Sequence, residues 1–127
     1  MSPHHDRRFG CRIPLEMFMN EYMNDLPHRA LTVNISESGV YVNKVIRRLS
    51  RRSRVVGLEF ELPGTGDVIW ARGEICYDTL SDCFHGEGIR FTAMPRVHAR
   101  LLRDYCAEER RHRLGLILAR IRDHSIQ

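Results

Sequence analysis

From Ile13 the chain alternates, with Ile13, Leu15, Met17 and Met19 on one parity and Glu16, Phe18, Asn20 and Tyr22 on the other. A period of two predicts a half-buried β-strand. "NDLPH" then supplies a turn, "RALTVNI" a second strand and "GVYVNKV" a third, in which Val40 and Val42 oppose Tyr41 and Asn43. In "RRSRVVGLEFELPG", Val56, Leu58, Phe60 and Leu62 share one face and Glu59 and Glu61 the other. After the turn "PGTGD", the stretch "VIWARGEICYD" sets Ile69, Ala71, Gly73, Ile75 and Tyr77 against Val68, Trp70, Arg72 and Glu74. A glycine-rich sixth strand follows in "FHGEGIRF". Six short strands separated by turn residues, with no βαβ rhythm, predict a mainly β chain folded as a small closed antiparallel barrel.

The periodicity changes after "TAMP", where Pro95 suits the first turn of a helix and Val97, Leu101, Leu102 and Tyr105 mark an apolar face. Farther on, Leu114, Ile117, Leu118 and Ile121 repeat at helical spacing, with Gly115 the weak position. This second stripe fits two arrangements: packing on the barrel, or an interface with another copy or a partner. The chain therefore divides into an arm over 1–12, a barrel over 13–94, and a C-terminal helix and tail over 95–127.

Length allows one domain with a real core, 127 residues in all. No apolar run approaches the roughly 20 residues of a membrane span. "MSPHHDRRFG" lacks the apolar core of a secretory signal, so a cytoplasmic location is expected and Cys11, Cys76, Cys83 and Cys106 are expected to stay thiols. Neither these cysteines nor the seven histidines show metal-ligand spacing. No activated nucleophile or carboxylate pair points to catalysis, and Glu59, Glu61, Glu74 and Glu87 read as surface residues of their strands.

Charge adds a direction. The net charge is +4, and Lys44 is the sole lysine among 20 basic residues. Arginine's planar fork suits bidentate contacts to phosphate and guanine and stacks on bases, so an anionic, nucleotide-like partner is expected. The arginines gather in the arm (Arg7, Arg8, Arg12), in the run Arg47 to Arg54, which reads as a solvated loop, and near the C-terminus. Arg8 and Arg12 stand four apart in a segment without a helical pattern. "NISESG", Asn34 to Gly39, breaks a strand with residues that bond local backbone and tolerate positive φ.

Arg8 and Arg12 fit an R-x-x-x-R stretch, Asn34, Ser36 and Gly39 fit [D/N]-x-S-x-x-G, and "GEGIRF" is similar to a Gly-[IV]-x-Phe strand before a terminal helix. Over most of its length the chain thus resembles the PilZ domain, the bacterial receptor module for cyclic di-GMP. The resemblance implies a six-stranded antiparallel PilZ-type β-barrel with a C-terminal α-helix, no cofactor, and cyclic di-GMP as ligand. It assigns Arg8 and Arg12 to a mobile arm that closes over the ligand, and Asn34, Ser36 and Gly39 to the fixed side of the site. Arg7 would extend the pair to the doubled arginine associated with two stacked ligand molecules. The chemistry agrees, because the ligand presents two phosphodiester anions beside two guanines.

The implied role is a non-catalytic sensor that alters contacts with a downstream protein controlling motility, attachment or polysaccharide output. Two other classes stay open: a PilZ-like adaptor that binds no nucleotide, and a basic barrel for nucleic acid. For the last, Trp70, Tyr41 and Phe18 are candidates for stacking, although they read mostly as barrel packing.

Overall fold

A computed structural model of the chain describes residues 12–45, 54–80 and 84–125. Its strands are β1 (Ile13–Pro14), β2 (Phe18–Met23), β3 (Leu26–Ile35), β4 (Gly39–Val45), β5 (Val55–Glu61), β6 (Val68–Leu80) and β7 (Phe84–Ala93). One helix, α1, spans Arg96–Ser125. All strand pairings are antiparallel, in the order β1-β3-β2-β5-β6-β7-β4, and a further β3–β4 pairing closes the sheet. Strands β2 to β7 therefore form the expected closed six-stranded barrel, with β1 an extra strand along β3.

Local chemistry sets the corners. Asn24 and Asp25 both take positive φ (52° and 65°) between paired Met23 and Leu26, as a tight two-residue hairpin requires. The single strand read from Ile13 is two strands, because the chain leaves the ladder at residues 15–17. Thr32, buried on β3, spans that gap. Its hydroxyl lies 2.5 Å from the Leu15 carbonyl and accepts the Met17 N–H at 3.0 Å, while its own N–H donates to the Met17 carbonyl at 2.8 Å.

The core comprises Ile13, Met19, Val40, Val42, Val56, Leu58, Phe60, Leu62, Ile69, Ile75 and Ile89, capped by Leu102 and Cys106 of α1. Alternation had placed most of these correctly. Tyr77 departs from it: the register shifts between Ile75 and Tyr77, and this bulge turns Tyr77 outward, 51% exposed. Phe18 and Trp70 are also exposed rather than packed inside; Arg29 lies over the Phe18 ring, and Tyr22 stacks on Trp70. On α1 the buried face is Leu102 and Cys106, with Leu101 and Tyr105 beside it, whereas Val97 is 66% exposed. His98 ties the start of the helix to the barrel by accepting the Trp70 N–H at 3.0 Å.

Glu87 corrects the expectation of a surface position. It is fully buried with Glu21, and Lys44 lies between them, its Nζ 3.3 Å from Glu21 Oε1 and 3.1 Å from Glu87 Oε2. His85 is near, its Nε2 3.6 Å from Asp78 and 4.0 Å from Glu87. Burial, then the negative charge of Glu87, push the Glu21 carboxyl up to about 8 against the opposing pull of Lys44.

Candidate functional site

The site begins with a bulge. Between Thr32 and Asn34 the β3–β4 register shifts, so that Ala30 and Thr32 face the core before it and Ile35 faces the core after it. Asn34 thereby leaves the core parity and lies half-buried beside β1, where it pairs with Pro14. Arg12, two residues before Pro14, reaches across and donates from Nη1 to Asn34 Oδ1 at 3.0 Å. Residues from the two sequence motifs, 22 positions apart, thus touch.

Ser36 and Gly39 build the turn beside that contact. Ser36 is fully buried; its N–H donates to the Gly39 carbonyl at 2.9 Å and its Oγ accepts the Ser38 N–H at 3.2 Å. The Phe91 N–H donates to the Ser38 carbonyl at 2.9 Å, which fastens the turn to β7. Gly39 does not take positive φ, contrary to the turn chemistry read from sequence. Its reason is steric. A Cβ there would stand 2.4 Å from the Ile89 carbonyl oxygen, so only glycine lets β4 approach β7 this closely.

Sequence reasoning missed the helix side of the site. Arg110 of α1 holds the Glu37 carboxylate bidentately, with Nη2 2.6 Å from both oxygens and Nη1 3.3 Å from Oε2. One turn on, Arg113 Nη2 donates to the Pro14 carbonyl at 3.3 Å. Both contacts join residues more than 70 positions apart, which local pattern does not reveal. One turn before Arg110 lies Cys106, whose thiol burial and nearby Glu37 push up to about 12.

Arg7, Arg8 and Cys11 lie outside the described residues, as does most of the Arg47 to Arg54 run. Arg54, the last of that run, donates from Nε to the Ile75 carbonyl at 2.9 Å. Among the described residues no group of histidine, cysteine and carboxylate side chains could hold a metal ion, and no helix is long and apolar enough to cross a membrane.

A closed six-stranded antiparallel barrel with one extra strand and a helix after the last strand has the PilZ-type fold. No protein-family model matches the sequence, and no curated protein matches it either. Solved structures do. The chain is similar to the Bacillus subtilis inhibitor of motility MotI/DgrA, with a TM-score of 0.69 and 17% identity over 80% of this chain and 50% of that one. It is similar to PlzA of Borreliella burgdorferi in complex with c-di-GMP (0.53, 18%, 75% and 39%). A third likeness is to Escherichia coli YcgR in complex with c-di-GMP (0.58, 14%, 91% and 49%). At these identities the likeness is one of fold, and the chain spans half or less of the solved chains it matches.

Proposed function

We propose that this domain is a non-catalytic cyclic di-GMP receptor. The observation that carries the reading is the contact between Arg12 and Asn34, which unites the two motifs on one end of the barrel. Around it stand Arg113 and the turn at Ser36 to Gly39, a cationic rim over a rigid floor. Arg12 engages a phosphate or guanine edge in this reading, Arg7 and Arg8 close from the arm, and Asn34 supplies amide donors and an acceptor. Two of the structural neighbours are complexes with that ligand, and a third is an inhibitor of motility.

The output runs through α1. Leu114, Ile117, Leu118 and Ile121 are each at least half exposed and lie off the barrel, so packing on the parent domain does not account for them. Their i, i+3, i+4, i+7 spacing forms a self-complementary seam, and a second copy of the chain is the occupant we assign to it. Location in the cytoplasm, with access to a nucleotide messenger and a downstream protein, belongs to the same reading.

Titration calorimetry with cyclic di-GMP tests the function, with a single-stranded oligonucleotide as the parallel arm because Trp70 and Phe18 are exposed. Saturable heat with cyclic di-GMP alone is expected. Heat with neither ligand leaves the nucleotide-free adaptor; heat with the oligonucleotide alone replaces the receptor by a nucleic-acid binder.

A further inference from the structure

The turn that is to receive an anion itself carries an acid. Glu37 lies between Ser36 and Ser38, and with Cα atoms about 3.8 Å apart its charge stands within a Debye length, roughly 8 Å, of anything seated there. Left alone, it would oppose both phosphodiesters. We propose that Arg110 is a positioning residue that draws Glu37 onto α1 and cancels its charge, which makes the turn fit to bind an anion; this rests on the cyclic di-GMP reading above.

Three features support the assignment. The pairing is bidentate, and both side chains are about two-thirds shielded from solvent, where screening by salt is weaker than at an open surface. Arg110 stands on an anchored face of α1, because Cys106 one turn earlier is fully buried and Arg113 one turn later bonds Pro14. The Glu37 side chain is thereby held toward the helix, while the Ser36 and Ser38 groups around it stay in their turn hydrogen bonds.

Two measurements test this. Without ligand, Arg110→Ala is expected to speed amide exchange at Ser36 and Ser38 and leave β6 unchanged; unchanged exchange at the turn overturns the positioning role. In cyclic di-GMP titrations, R110A is expected to bind about tenfold more weakly, a loss that shrinks near 0.5 M salt. Adding E37Q to R110A is expected to restore affinity to within about threefold of wild type, since no charge then needs cancelling. Loss without rescue overturns charge cancellation, because Arg110 would then act on the ligand directly. Wild-type protein that gives no heat defeats the receptor reading instead, while the exchange experiment still decides the role of Arg110.

Discussion

The Arg12 guanidinium donates to the Asn34 amide oxygen across 3.0 Å, joining β1 to the bulged end of β3. The bond is exposed, so its loss should cost folding little. Arg12→Ala is expected to weaken cyclic di-GMP binding by about ten- to a hundredfold, through loss of charge-assisted hydrogen bonds, with an unchanged thermal midpoint. Asn34→Ala should weaken it less. Calorimetry on both variants checks this, and wild-type affinity in Arg12→Ala would remove Arg12 from the site.

Gly39→Ala should act on folding first. With 2.4 Å between the new Cβ and the Ile89 carbonyl oxygen, β4 and β7 must part, at a cost of about 1–3 kcal/mol. Chemical denaturation measures that cost. An unperturbed midpoint together with lost binding would make Gly39 a ligand contact rather than a packing requirement.

Glu21 gives the barrel a pH dependence of definite sign. Its carboxyl titrates near 8 in the fold against an ordinary value of 4.5, so between those values the folded chain holds a proton that the unfolded chain has lost. Its stabilisation is complete below about 4.5 and is lost as pH rises through 8. Lys44 and Glu87 face the group directly, with His85 and Asp78 beyond, so the wild-type slope is a sum over all of them. Glu21→Gln mimics the protonated form. Its thermal midpoint, measured relative to wild type, is expected to rise steadily from pH 5 to about 8.5. A difference independent of pH would show that Glu21 is ionised throughout.

Replacing Ile117 and Ile121 together by Glu should abolish self-association without touching ligand affinity. Both side chains are at least half exposed, so the monomer loses no core contact. Light scattering gives the mass. Equal masses for wild type and variant would rule out a second copy as the occupant of the seam.

The barrel was readable because alternation of period two survives in most strands: Val56, Leu58, Phe60 and Leu62 face inward as their spacing demands. The same rule, carried one step farther along Val40 and Val42, points Lys44 inward, a signal that the usual surface preference of lysine masks. Tyr77 and the split between β1 and β2 escaped for another reason, since a bulge or an intervening Thr32 hydroxyl changes parity without marking the residues themselves. Motif spacing singles out Arg12, Asn34, Ser36 and Gly39 as candidates. Sequence could not assign their separate duties: Ser36 shapes the turn and Gly39 makes room for Ile89. Glu37 with Arg110 lay beyond reach, as a contact across 73 positions leaves no periodic trace.

Helix α1 is 30 residues long, about 45 Å end to end, yet its last buried residue is Cys106. From Arg110 to Ser125 runs a stiff rod of roughly 22 Å. Tilting that rod by about 10° at its anchors on Glu37 and Pro14 would carry its tip through about 3–4 Å. A small tilt at the turn would thus be magnified, at the far end, into a displacement as wide as a side chain.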